Sequence, residues 1–230
     1  MSLTACGGGS TTGTTSGGAV DDGKTYNIGI CQLVQHEALD AATKGFKDAL
    51  TEKLGDKVKF DEQNAQGDSP MCATIVNSFV SENVDLILAN ATAPLQAAAT
   101  GTTDIPILGT SITDYGTALN IKDWKGTTGV NGSGTSDLAP LDQQAAMIKE
   151  LFPDKKKVGL LYCSAEANSL YQVETIKGYL EKDGYTCTNY SFVDSNDIAS
   201  VVSNAAKNSD VIYVPTDNTA ASNTEVIRNT

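Results

Sequence analysis

Histidine is almost missing from this chain: His36 is the only one in 230 residues. Cysteine is scarce as well. There are five, and none of Cys6, Cys31, Cys72, Cys163 and Cys187 stands in a C-x-x-C spacing. Structural and catalytic zinc sites need several such ligands at short fixed spacings, so neither a metal nor a cofactor is expected. Basic residues are outnumbered, with 16 Lys and Arg against 28 Asp and Glu and a formal net charge of −12. Nucleic-acid phosphates need stripes of Lys and Arg, so no nucleic-acid partner is expected. No run of about 18 apolar residues occurs, so no segment reads as a membrane-spanning helix. The G-x-S-x-G elbow, the G-x-x-x-x-G-K-[ST] loop and a G-x-G-x-x-G after the first strand are all lacking. His36 has the chemistry of a general base, but no Ser or Cys partner is placed beside it by spacing, and no enzyme is expected.

What is present begins with residues 3–18, "LTACGGGSTTGTTSGG". After Cys6 this run holds only Gly, Ser and Thr. It has no apolar face whose burial would offset the entropy of ordering it, so it reads as a tether. Leu3-Thr4-Ala5-Cys6 resembles the lipobox of bacterial lipoproteins. That resemblance implies a signal peptide cut before Cys6, a lipid on Cys6, and an extracytoplasmic domain anchored to the bacterial cell membrane by acyl chains.

Beyond the tether the pattern is regular. Apolar runs at 26–33, 85–90, 105–110, 157–163 and 210–216, with the alternating run 58–65 and "TCTNYSFV" at 186–193, read as strands. Between them lie helical periodicities, at 37–54, 69–82, 92–100, 141–152, 169–184, 197–208 and 218–229. Strands alternating with helices imply parallel sheets covered by helices, an α/β fold. The passage 111–135 reads as loop, dense in Gly, Thr and Ser towards its end, and suggests a crossing between two lobes. The expected organisation is a tether at 1–24, a first α/β lobe at 25–135 and a second at 136–230.

In open α/β sheets ligands sit beyond the carboxyl ends of the strands. Those positions hold Gln32 and His36, "NATAP" with Thr92 and Ala93, "GTSITD" with Thr110 and Ser111, "CSAEANS" with Glu166, Asn168 and Ser169, and "PTDN" with Asp217 and Asn218. Small hydroxyls and amides at helix starts can hold a carboxylate, and Asp217 or Glu166 can oppose an ammonium group. The set suits a zwitterion such as an amino acid. Helix capping alone accounts for any single member of it. Trp124 either stacks on a ligand or packs under its loop. Cys31 and Cys163 read as core or near-site residues, and no disulfide can be paired from spacing.

The segments "QHEALDAATKGFKDAL", "NAQGD", "TAPLQAAA", "SDLAP" with "QQAAMIKELFPDKKKVGLLYCSAEANSLYQVE", and "VIYVPTDNT" resemble the substrate-binding proteins of ABC importers. The nearest group is the one associated with tryptophan, tyrosine and phenylalanine uptake. The resemblance covers residues 26–225 and is most specific over 136–174. It implies a two-lobed periplasmic-binding-protein fold, an amino acid caught between the lobes, and delivery to an ABC permease. A sensor of the same ligands, or an enzyme using His36 or Asp217, are the alternatives. It also implies roles: Thr92, Thr110 and Ser169 on the carboxylate, Asp217 on the α-amino group, and Gln32 and His36 beside the ligand's side chain. The family pattern has two departures here. Its members run to about 300 residues, a size for two full lobes, so the second lobe is expected to be incomplete and able to self-associate through its open edge. Its usual T-D-P reads Thr113-Asp114-Tyr115, which makes Tyr115 a candidate pocket aromatic.

Overall fold

The computed structural model describes residues 23–230. The first half runs β1 (Tyr26–Gln32), α1 (Glu37–Leu54), β2 (Val58–Asn64), α2 (Ser69–Glu82), β3 (Leu86–Asn90), α3 (Thr92–Gly101), β4 (Ile107–Ile112), α4 (Tyr115–Ala118) and β5 (Gly132–Ser136). The second half runs α5 (Leu141–Leu151), β6 (Lys157–Cys163), α6 (Ala167–Lys182), β7 (Thr186–Phe192), α7 (Ile198–Asn208), β8 (Val211–Tyr213), α8 (Asn218–Ser222) and α9 (Thr224–Asn229). The strands form two sheets, ordered β2-β1-β3-β4-β5 and β7-β6-β8, and every pairing is parallel.

Parallel neighbours need long crossovers, and the helices supply them while covering both faces. The period of two in a strand then decides which core each residue joins. On β1, Ile28 and Ile30 meet Phe46, Leu50 and Leu54 of α1, while Cys31 on the other face joins Val76 and Phe79 of α2. Phe79 is fully buried against Gly29, where an added Cβ would stand 2.6 Å from the ring. Only glycine lets α2 lie that close to the sheet. On β6, Val158, Leu160 and Tyr162 face Val173, Ile176 and Leu180 of α6. Leu161 and Cys163 face Ile198, Val202 and Ala205 of α7.

The passage 111–135 departs from its reading as a crossing loop. It holds α4, and the glycine-rich residues beyond it form β5, the edge strand of the first sheet, paired to β4. "GSGTS" carries no apolar side chain, so no periodicity announces it. What holds it is Tyr115, and this corrects the expectation of a pocket aromatic. Tyr115 is buried; its hydroxyl donates to Gly109 O at 3.1 Å and lies 3.4 Å from Thr135 O. Gly109 and Gly134 leave the room for that hydroxyl, since a Cβ on either would collide with it. Trp124 packs under its loop and stacks on Tyr115 with ring centroids 6.1 Å apart. The helix expected over 218–229 is broken at Asn223 into α8 and α9, and β8 is shorter than the apolar run containing it.

Candidate functional site

The carboxyl ends of both sheets meet at one gap. A cavity of about 120 Å³ lies in it, with Leu33, Val34, Gly67 and Ser69 on one side and Cys163, Glu166, Val193, Asp194 and Thr219 on the other. A wider recess of about 430 Å³ continues beside it, lined by His36 from the first half and Pro215, Asn218, Thr224, Ile227 and Arg228 from the second.

In the first half, β3 and β4 end in constrained backbone. Ala91 has φ +105° and Ser111 φ +58°, and the Ala91 N–H bonds Thr110 O at 3.1 Å. Such conformations in non-glycine residues cost about 1–3 kcal/mol each and gather at binding sites. They bring Thr92 to the first turn of α3, a helix whose N-cap, Ala91, offers no side-chain acceptor. The first N–H groups of a helix have no partner within it, and Pro94 has none to offer, so Thr92 and Ala93 present the open donors. Thr92 is buried, and two residues before it stands Asn90 Oδ1, a buried side-chain oxygen left without a hydrogen-bond partner among the described residues. The side chain of Ala93 faces the other way, onto the outer groove between α2 and α3 with Ala73 and Asn77.

Gln32 is placed differently from the expected pocket border. It is buried inside the first half and all its polar atoms are engaged. Nε2 donates to Val34 O (3.0 Å) and Asp40 Oδ1 (2.7 Å), and Oε1 accepts from Thr43 Oγ1 at 2.6 Å. Asn90 joins this network through Nδ2, which donates to Leu39 O and Thr43. Gln32 thus shapes the loop that carries His36 rather than facing the gap. Asn90 entered the sequence reading only as the first residue of "NATAP", and Thr43 escaped it. The one available signal was a threonine one turn beyond Leu39 on the inner face of α1.

In the second half two carboxylates are buried side by side. Glu166, 5% exposed, accepts five hydrogen bonds: from Asn168 Nδ2, from the N–H and Nδ2 of Asn218, and from the N–H and hydroxyl of Thr219. Asp217, 2% exposed, accepts from Cys163 N–H at 2.6 Å and caps α8 through Ala220 N–H at 2.8 Å. Neither carboxylate forms an ion pair among the described residues. Burial and the adjacent Glu166 charge push the Asp217 carboxyl up to about 6, against the pull of its donors Cys163, Ala220 and Ser169. Burial likewise lifts the Cys163 thiol to about 11. Asn168 and Ser169 are buried at the start of α6. Asn168 Nδ2 also reaches Thr216 O, and Gln172, unmarked in the sequence, clamps Thr216 through both its backbone groups.

His36 spans the gap: its Nε2 lies 3.3 Å from Asn218 Oδ1. Of the expected residues, the structure brings His36, Glu166, Asp217 and Asn218 to the cavity and its recess; Asn168 and Ser169 are buried beside Glu166 at the start of α6, and Thr92, Thr110 and Ser111 stand at the strand ends of the first half without lining either space. Cys31 and Cys72 meet in the first core, where their mutual hydrogen bond raises the Cys31 thiol and lowers that of Cys72. Cys31, Cys72, Cys163 and Cys187 are all free thiols. Cys6 lies outside the described residues. No group of His, Cys, Asp and Glu among the described residues could hold a metal ion.

The comparisons agree with this architecture. A tyrosine-binding protein of Clostridioides difficile (strain R20291) is 40% identical over 210 residues, which are 90% of this chain and 61% of that protein. This chain thus spans less than two thirds of that relative. The ABC domain from Streptococcus pneumonia solved in complex with L-Trp is 38% identical and superimposes with a TM-score of 0.83, covering 89% of this chain and 70% of that one. The ligand-free, open structure of a substrate binding protein with adhesive properties from Clostridium difficile has the same identity and coverage but a TM-score of 0.59. The profile of the ABC transporter substrate binding proteins matches residues 27–230, and the chain belongs to that family.

Proposed function

We propose that the gap binds an aromatic amino acid as its zwitterion and releases it unchanged to an ABC permease. The observation that carries this reading is the polarity of the gap. On its first-half side α3, which packs against α6 of the second half, begins without a side-chain cap, and its open N–H groups and the Thr92 hydroxyl suit a carboxylate. Its second-half side holds two buried carboxylates without a cation, whose field favours an ammonium group. A zwitterion fits in one orientation only. Ser169 and Thr110 remain in the reading as further polar contacts, and Leu33, Val34 and Val193 supply apolar surface for the ligand's side chain. The relative bound to L-Trp and the relative named for tyrosine support the aromatic class.

The reading includes extracytoplasmic anchoring by a lipid on Cys6, which labelling of the expressed protein with a fatty-acid probe tests. For the ligand, a thermal-shift screen of the twenty amino acids decides. A ligand at about one hundred times its Kd adds about 2.7 kcal/mol of stability, a clear rise in Tm. Tryptophan, tyrosine or phenylalanine should give that rise and be recovered intact. Stabilisation by none of them, with sugars or peptides active instead, refutes the assignment.

A further inference from the structure

We propose that His36, Asn218 and Glu166 form a clasp that holds the two halves together through protein contacts alone, with Glu166 as its positioning residue. The argument starts at Glu166. Both its oxygens are acceptors surrounded by donors, and one of them receives the N–H and the Nδ2 of Asn218 at 3.0 and 2.7 Å. An amide turned the other way would set its oxygen against a carboxylate, so the Asn218 amide has one favourable orientation. That orientation points Oδ1 across the gap at His36 Nε2. The histidine nitrogen must then donate, which the Nε2–H tautomer and the imidazolium both do.

Each end of the clasp is anchored in its own half. His36 precedes α1, and its carbonyl accepts from Asp40 N–H at 3.0 Å. The loop before it is tied down by Gln32 Nε2 on Val34 O and by Gly67 N–H on Leu33 O at 2.8 Å. Asn218 opens α8, which Asp217 caps and Glu166 secures through Thr219. Beside the packing of α3 and α4 against α6, these two loops therefore meet through one side-chain hydrogen bond, and His36 makes no other among the described residues. The charged groups around it are Glu37 and Asp40 in the first turn of α1, Glu166 and Asp217 across the gap, and Arg228 in the adjoining recess. The inference goes beyond ligand recognition: part of closure does not pass through the ligand, so the clasp sets the fraction of protein already competent to hold it.

The test has two arms, and only the second rests on the proposed ligand. Small-angle scattering of the ligand-free protein compares the parent with His36→Ala, Asn218→Ala and Glu166→Gln. Each variant should give a larger radius of gyration, and His36→Gln, which keeps a donor, should restore the parent value. The second arm measures Kd for L-Trp and L-Tyr. Each disrupting variant should weaken binding about three- to ten-fold, the worth of one hydrogen bond, mainly through faster release. The His36→Ala, Glu166→Gln double variant should be no weaker than the worse single one, because both break the same contact. Additive losses, or an unchanged radius in all variants, overturn the clasp. Should Glu166→Gln fail to fold for loss of its contacts to α8, His36→Ala with Asn218→Ala carries the same comparison. If no amino acid binds, the functional proposal falls while the scattering arm still decides the clasp.

Discussion

Acidification should stabilise this protein at one position, against the usual behaviour of carboxylates. The perturbation is Asp217→Asn, compared with the parent by urea denaturation at about pH 7.5 and about pH 4.5. Asp217 is held near 6 in the folded protein against an ordinary 3.8, because burial and the Glu166 charge both oppose its ionisation. A folded-state value above the unfolded one means the native state binds the proton more tightly. The cost of the buried charge is therefore fully present above about pH 6, shrinks as pH falls, and is gone below about 3.8. The whole difference is about 3 kcal/mol, and about 2 of it is recovered by pH 4.5. The asparagine loses a hydrogen bond, since its amide must face Cys163 N–H or Ala220 N–H, but that loss is the same at every pH. Carboxylates pulled the other way, such as Asp85 beside Lys24 and Asp210 at the Lys156 and Lys157 N–H groups, titrate identically in both proteins and cancel. Parent stability relative to the variant should thus rise by about 2 kcal/mol on acidification. A flat difference, or one of opposite sign, would mean that the donors around Asp217 outweigh its burial, and the electrostatic account of the gap would be wrong.

Gly109→Ala should destabilise by about 1–3 kcal/mol through overpacking, and Tyr115→Phe in that background should recover part of the loss, because the added methyl would stand 2.5 Å from the tyrosine oxygen. Gly134→Ala should cost at least as much and not be recovered by Tyr115→Phe, since its Cβ also meets the Gly109 carbonyl; chemical denaturation of the singles and doubles checks both. Phe79→Ala should cost about 3–5 kcal/mol, read as a lower urea midpoint, because the ring is fully buried over Gly29. Thr92→Val keeps the shape of the first turn of α3 and removes its hydroxyl; calorimetry with L-Trp or L-Tyr should show about ten- to hundred-fold weaker binding with an unchanged Tm in the free protein.

The frame could be read from the sequence wherever side chains build it. β1 and β6 are buried through nearly their whole length, so their apolar runs are visible as such, and α2 carries Pro70 in its first turn as expected. β5 could not be read, because it is held by backbone bonds and by a tyrosine hydroxyl that arrives from α4. The break at Asn223 was equally hidden, since both short helices continue one periodicity. The gap was legible as a set of strand ends rich in hydroxyls, amides and carboxylates. The division of labour within the set was not. Gln32 and Glu166 have the chemistry of ligand contacts, yet their polar atoms are taken up by Thr43 and Asp40 in one case and by Asn218 and Thr219 in the other. That choice depends on which helix start each side chain reaches, a matter of tertiary distance.

All the strands within each sheet run the same way, so the loops that border the gap leave from one end of a frame whose packing lies elsewhere. Phe79, Ile176 and their neighbours can stay as they are while residues 33–36, 91–93, 111–114 or 193–195 change. Taste for one solute can therefore drift loop by loop without the scaffold being renegotiated, and a designer wishing to retarget the protein has those four short stretches to rewrite.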